Sequence, residues 1–455
     1  MIPSVSDALA GFAAGDIILP DAVINEAQRS ILNGIATGLA GSADPETLPA
    51  LRLASRFSGP RSCGLIGRTD RLDPLAAAYI NALSINVHDF DDTHPGTILH
   101  PTAPVLPVLM ALSEIMPVSG RILIEAFAVG VEVECRIANA VSPGHYRRGW
   151  HITATCGVFG AAAAAARVLR LNAEQMRHAF GIASAQSSGL VETLGTMAKS
   201  IGVGNAAQNG LRAALLAQDG LKGPDLPLEG PRGFIHVTAD NPLLDRLTEG
   251  LGQTWELLRN TYKPYPCGVV LNPVIEATLE LVAEGAGPEG LVRATVKGHP
   301  LLAERADRPT IRSGREAQVS AQHAVAAVLS RNSAGLADFS DAAVADPAIT
   351  TLRDKVIVLQ DAAMPVGAAE LVFEYAQGVR IGRLVMNAKG DSARALTTED
   401  IVAKLERLTC DANLDISTDR LLAVVMKLPD MEDASDLMRA CTLDRSTPKV
   451  MLSHN

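Results

Sequence analysis

Residues 86–101, NVHDFDDTHPGTILHP, place three histidines and three aspartates within sixteen positions of a chain whose charged residues make up only 20% of its length. Read as the end of a helix over 74–90, the stretch sets His88, Asp91 and Asp92 on one face and Asp89, Asp92 and Thr93 on an overlapping one. Pro95 and Gly96 stop that helix, and Pro101, Pro104 and Pro107 mark the start of the next. His100 is therefore expected on a stiff loop between two helices, a usual mounting for a general base or an orienting donor. Two other readings stay open: a solvated helix end rich in Asp, and a metal site, since His and Asp ligands suit Zn, Mn or Fe. No second group of histidines stands at helical ligand spacing, so no metal is assigned.

Three more clusters carry chemistry. SPGHYRRGWHITATCGVFGAA, residues 142–162, offers His145, Tyr146, Arg147, Arg148, Trp150 and His151 just before a helix of small residues. That helix N-terminus, with two arginines beside it, can stabilise an anion; Trp150 and His151 as packing residues are the plain alternative. In ETLGTMAKSIGVGNAAQNG, residues 192–210, Lys199 precedes a glycine-rich start to a helix over 204–219. Gly202, Gly204 and Ala207 fit G-x-G-x-x-A, but no strand precedes them and no acidic residue follows at a strand end, so a dinucleotide is not assigned. Unpaired N–H groups there would suit a carboxylate equally, and Lys199 reads otherwise as a surface lysine. YKPYPCGVVLNP, residues 262–273, sets Lys263 between two tyrosines at an expected domain boundary, where clefts bind ligands. G-x-S-x-G, P-loop and H-E-x-x-H motifs are absent, which leaves serine hydrolase, NTPase and zincin readings without support.

The elements that must position these groups are mostly helices. Hydrophobic residues make up 47% of the 455 and aromatics only 4%, so the core is built from Ala, Leu, Val and Ile. Helical periods run from residue 20, then through about 74–90, 103–116, 119–140, 153–169, 173–186 and 204–219. Small residues in GAAAAAA and GNAAQNGLRAALLA recur at contact spacing and let helix axes approach closely. Beyond NTYKPYPCG, residues 260–268, the texture changes: LVRATVKGH and DKVIVLQD read as strands, and AELVFEYAQGVRIGRLVM as a hairpin turning at Gln377-Gly378. Helices at about 270–285 and 317–331 lie among them. Capped helices resume at TTEDIVAKLERL, where Thr397 and Asp400 stand at capping-box spacing. The expected fold is mainly α with an α+β insertion: an all-α part over 1–264, a smaller α/β unit over 265–395, and helices over 396–455.

Composition excludes several classes. The formal charge is -10 and no basic run exceeds Arg147-Arg148, so nucleic acid is not an expected partner. The start lacks a basic n-region and the alanine-rich run is too short to span a bilayer, which predicts a protein without membrane association. The six cysteines show no C-x-x-C spacing, in keeping with a reducing cytoplasm.

In this order, DFDDTHPGTILHP, GWHITATCGVFGAAAAAARVL, AKSIGVGNAAQNGLRAALLA, KPYPCGVVLNPVIEA and KGDSARALTTEDIVAKLERL resemble the MmgE/PrpD family over nearly the whole chain. That family includes 2-methylcitrate dehydratases, cis-aconitate decarboxylases and an iminodisuccinate epimerase. The resemblance implies a large all-α domain formed by both chain ends, an inserted α/β lid, a homodimer, and a cleft that works without metal or organic cofactor. It carries functional roles to Asp89, Thr93, His100, His151, Lys199 and Lys263, and in epimerase-like members to Tyr146 as the partner of the lysine. Arg147 or Arg148 would be the cationic neighbour of Lys199. Two positions depart from the pattern: His323 stands where many members have a lid tyrosine, and Asn272-Pro273 where many have His-Pro. The expected activity is movement of a proton next to a carboxylate of a small di- or tricarboxylate. A hydro-lyase of the 2-methylcitrate dehydratase type comes first, then a two-base epimerase, a cis-aconitate-type decarboxylase, and a non-catalytic polycarboxylate-binding protein.

Overall fold

Alanine and glycine set the spacing of the helices. In the computed structural model, which describes residues 4–443, the helix Ile152–Val168 is buried at every position except Arg167. It packs against Gly120–Val141, Thr102–Ser113, Met197–Gln218 and Ala173–Ser184, and Asp21–Ser42 and Pro74–Asn86 pack in turn on those neighbours. An element apolar on all sides belongs in the middle of a bundle. Its neighbours reach it through glycine: a methyl group on Gly130 would stand 2.8 Å from the Gly160 carbonyl oxygen, and one on Gly210 would stand 2.7 Å from that of Val158.

One apolar core runs from Leu9 to Tyr262 and also takes in Leu396, Ile401, Leu405 and Leu408. The late helices Thr398–Asp411 and Thr418–Lys427 thus pack back onto Asp21–Ser42. Thr397 and Asp400 form the reciprocal cap that their spacing predicts. A second core lies over a four-stranded sheet in the spatial order 356–360, 291–298, 369–375, 380–385. Its first pair is parallel and the other two antiparallel, with Val296 opposite both Val358 and Leu371. The helices Asn272–Ala283 and Ala321–Arg331 cover it. The hairpin turns at Gly378, where φ is +76°, a conformation glycine adopts without a Cβ clash. Among the described residues no helix is long and apolar enough to cross a membrane.

Two boundaries differ from the sequence reading, and both fall at candidate site residues. The helix expected over 74–90 ends at Asn86, and Asp89 lies beyond it at φ +50°. Asp is one of the few side chains that visit this left-handed region, because its short polar group bonds locally. The helix expected from 204 begins at Met197, with Thr196 capping the Ala198 N–H. Gly202, Gly204 and Ala207 are therefore interior, with no exposed N–H cradle. Gly204 instead admits Tyr79, whose Cδ2 would be 2.7 Å from an added methyl.

These contacts predict opposite outcomes for two substitutions to alanine. Gly130→Ala overpacks a helix crossing and should cost roughly 1–3 kcal/mol. Gly11→Ala, in an exposed helical position with open space, should gain about 0.5–1 kcal/mol. Urea midpoints measure both, and equal midpoints for G130A and wild type would refute the close-packing account.

Candidate active site

Three tethers fix the backbone that carries the titratable groups. Thr93 and Thr261 exchange N–H to carbonyl bonds of 2.8 and 2.9 Å, which joins the Asp89–His100 loop to the segment carrying Lys263. Asn86 donates to Asp91 Oδ2 at 2.8 Å and accepts from Ser200 Oγ at 3.1 Å, which ties the loop to the helix of Lys199. The buried Lys404 ammonium donates to Phe90 O at 2.7 Å, Asn33 Oδ1 at 2.9 Å and Lys263 O at 3.0 Å. It also lies 3.7 Å from the centre of the Phe90 ring. Burial pushes the Lys404 ammonium well below its ordinary range, with Asp91 opposing that shift.

Held by these tethers, the Asp89 carboxylate sits between two ammonium groups. Lys199 Nζ is 2.5 Å and Lys263 Nζ 3.1 Å from its Oδ1, and Lys263 also donates to the Asp89 carbonyl at 2.8 Å. Burial alone would raise this carboxyl; Lys199, Lys263 and His100 overcome that and hold it far below the usual range. His100 Nε2 is 3.4 Å from the same oxygen. Its Nδ1 lies 2.9 Å from the Asp92 carbonyl, which can only accept, so Nδ1 carries the proton and Nε2 the lone pair. Asp91 Oδ1 is 3.3 Å from that Nδ1. Burial lowers the His100 pKa to about 4, with Asp91 opposing and Lys263 and Lys199 reinforcing. His151, whose Nδ1 has no hydrogen-bond partner, is pushed by burial, Lys199 and His100 to about 3. Both imidazoles are neutral at pH 7.

Oxygen and nitrogen atoms of Asp89, Asp91 and His100 lie within 4.8 Å of one another, the one cluster of metal-ligand type among the described residues. Two lysines already neutralise Asp89, and His100 Nδ1 is engaged by a carbonyl, so the donor set is that of an ion-pair network.

A cavity of about 220 Å³ opens onto this network. Asp89, Thr93, His100 and Lys199 line it, and so do Tyr146, His151 and Lys263, which come from two other segments. Two expected site residues lie elsewhere. Arg147 is exposed and borders an adjoining cavity of about 520 Å³, because the short helix Gly144–Arg147 turns Tyr146 inward and Arg147 outward. His323 is fully buried behind the wall: its Nε2 is 2.8 Å from the Asp338 carbonyl and its ring packs on Phe339. Nor do the arginines flank Lys199. Arg148 pairs with Asp240 at 3.1 Å, and the cation beside Lys199 is Lys263. Asn272 borders the adjoining cavity, with its Oδ1 unpartnered. His94 and His145 serve structure, the first between Thr97 and Glu256, the second between Thr155 and the Thr238 carbonyl.

The sequence reading missed Glu304, Arg305 and Arg308, which line the same cavity from the helix Pro300–Ala306 and the residues after it. The Arg305 guanidinium lies 5.6 Å over the Tyr146 ring. Burial raises the Tyr146 phenol above its ordinary range, and Arg305 opposes it. Also missed is Glu134, an acid in an apolar helix with neither carboxyl oxygen hydrogen-bonded; burial and then Asp92 push it well up. Burial raises Asp92 to about 7, against donors from Thr102 at 2.5 Å and Asn260 at 2.6 Å.

Residues 8–246 match the MmgE/PrpD N-terminal domain and residues 265–425 the MmgE/PrpD C-terminal domain. The chain is 29% identical to a cis-aconitate decarboxylase of Mus musculus over 96% of its own length and 93% of that protein. The Homo sapiens cis-aconitate decarboxylase is also 29% identical, over 95% of this chain and 93% of that one. A cis-aconitate decarboxylase of Aspergillus terreus is 32% identical over 61% of this chain and 59% of its own. Because the two domain matches together cover most of its length, the chain belongs to the MmgE/PrpD family.

Proposed function

We propose that the protein is a lyase of small polycarboxylates that breaks the carbon–carbon bond to a carboxylate in a substrate of the cis-aconitate type. The observation that carries this reading is the Lys199–Asp89–Lys263 cluster facing two neutral imidazoles in one cavity. The near full-length relatives named cis-aconitate decarboxylases move decarboxylation ahead of the dehydration that the sequence alone favours.

In such a substrate the saturated arm loses CO₂. The electron pair of the breaking bond forms a terminal alkene, the original alkene pair moves to the carbon bearing another carboxylate, and that carbon takes up one proton. The trianion and a proton thus become a dianion and CO₂. The step needs cations against the charge that develops beside the retained carboxylate, and an acid for the carbon. Lys199 and Lys263 supply the first. His151 or His100 supplies the second, since the charge of a bound trianion raises the pKa of a neighbouring imidazole. Ile98, Ile152, Val191 and Leu194 in the wall exclude water from the carboxylate that leaves.

Dehydration is the second reading, favoured by the His100 tautomer: its Nε2 lone pair is available to take a proton. Two-base epimerisation has less support, because burial keeps the Tyr146 phenol protonated and makes it a donor.

Proton NMR in D₂O separates the readings. Cis-aconitate should give a new terminal-alkene pair and deuterium in the adjacent methylene; 2-methylcitrate dehydrating without CO₂ release would favour the second reading. Exchange of an α-proton with no new alkene would indicate epimerisation, and binding without any reaction a polycarboxylate-binding protein. Lys199→Met and His151→Gln should each lower turnover by roughly 10²-fold or more; near wild-type rates in both would overturn the assignment. Calorimetry at pH 6 in buffers of different ionisation enthalpy should show proton uptake by the protein when a tricarboxylate binds, because His100 and His151 start from about 4 and about 3 and move upward. Zero uptake would leave Lys199 as the proton donor.

A further inference from the structure

The cavity wall carries more positive charge than the Asp89 cluster accounts for. Lys199 and Lys263 share Asp89, whereas Arg305 and Arg308 have no carboxylate within ion-pairing distance among the described residues. Arg305 is partly buried, and its Nε is enclosed without any hydrogen-bond partner. Its terminal nitrogens are not enclosed and have no carboxylate partner among the described residues, so at the cavity wall a ligand anion can supply the acceptor. Glu304, exposed beside it, lines the same wall without pairing to it. Tyr146 fixes the placement: its ring lies under the Arg305 guanidinium, and its phenol is within electrostatic reach of Arg305 and Glu304 as well as Asp89 and Lys199. The cationic groups therefore fall into two sets with a tyrosine between them, one on the elements before residue 264 and one on the segment 304–308.

From this geometry we infer that Arg305, seconded by Arg308, binds a carboxylate of the substrate remote from the one held by Lys199 and Lys263, and so selects tricarboxylates over dicarboxylates. Arg305 suits the task because its guanidinium is placed over the Tyr146 ring at the cavity wall, and a planar fork meets a carboxylate through two parallel N–H bonds. Arg308, exposed at the rim, adds charge with less orientation. The inference rests on reading the cavity as a carboxylate site, and it assigns specificity to a segment for which the motif DFDDT and the Lys-Pro loop give no hint.

The test uses two unreactive ligands, tricarballylate and glutarate, with the full-length protein and its Arg305→Ala, Arg305→Lys and Arg308→Ala variants, followed by isothermal titration calorimetry. R305A should weaken tricarballylate by tenfold or more and glutarate by less than about threefold. R305K, which keeps the charge and loses the fork, should fall between, and R308A should lose less than R305A. With the reactive substrate, R305A should raise KM with little change in kcat, which general destabilisation would not produce. Equal losses for both ligands, or tricarballylate affinity unchanged in R305A, would overturn this inference alone. Wild-type protein that binds neither acid would overturn the carboxylate-site reading as well.

Discussion

One carboxylate holds the site together. Lys199 and Lys263 approach the same Asp89 oxygen, and without its negative charge two ammonium groups would stand in one half-closed space with no counter-ion. An ion pair in such a place adds little net stability, because desolvation offsets most of the attraction. Its value is positional: each partner is costly to leave alone, so all three are held in one arrangement. The left-handed turn at Asp89 is what aims the carboxylate there, and the Thr93–Thr261 bridge keeps the turn beside Lys263. Lys404 then clamps the carbonyls of Phe90 and Lys263 from a helix near the end of the chain. Side chains from three stretches of sequence, at His100, Lys199 and Lys263, thus converge on one oxygen atom, and a fourth, at Lys404, clamps the backbone around it.

The small-residue packing of the helices makes that convergence rigid. Gly130 against Gly160 and Gly210 against Val158 bring the axes so close that little relative sliding is possible without a clash. His151 begins the central helix Ile152–Val168, and Lys199 lies in the first turn of Met197–Gln218, which packs along it. The separation of these two chemical groups is therefore set by alanine and glycine contacts further down the same pair of helices. The low aromatic content follows from the same requirement, since large rings would force the axes apart.

Much of this was legible in the sequence. Period and capping signals located nearly every long helix, and the four strands of the insertion stood out through alternation and the Gln377-Gly378 turn. The Asp89–His100 loop stood out through its density of titratable groups, whereas roles for Tyr146, His151, Lys199 and Lys263 came from the resemblance to the MmgE/PrpD family, since His151 and Lys199 also have ordinary packing or surface readings. What failed did so for physical reasons. Helical spacing could not show that the chain leaves the helix after Asn86, because the Asp89 turn depends on tertiary partners more than a hundred residues away. The G-x-G-x-x-A match could not distinguish a ligand cradle from close packing on Tyr79. His323 drew attention by its type, yet burial against Phe339 and the Asp338 carbonyl decides its role. Arg305 and Arg308 sit in an ordinary charged stretch, and only the fold shows which of many arginines lacks a partner.

The electrostatic character of the cavity comes from groups that are not charged as much as from those that are. Burial and then Asp92 push the buried, unbonded Glu134 well above its ordinary range, so a proton on Glu134 relieves the cost of burying two acids close together. His100 and His151 are neutral because burial and the lysines oppose a further positive charge. The Tyr146 phenol keeps its proton. With the imidazoles and the phenol neutral, the field in the cavity is that of Lys199 and Lys263 against Asp89, together with Glu304 and the arginines of the 304–308 segment. An anion entering such a field is attracted strongly, because apolar walls reduce screening. Its own charge then raises the proton affinity of a neighbouring imidazole, which takes up a proton from solvent. In the proposed reaction, acid catalysis would be switched on by the substrate, and a neutral molecule of the same shape would find the histidines without their protons.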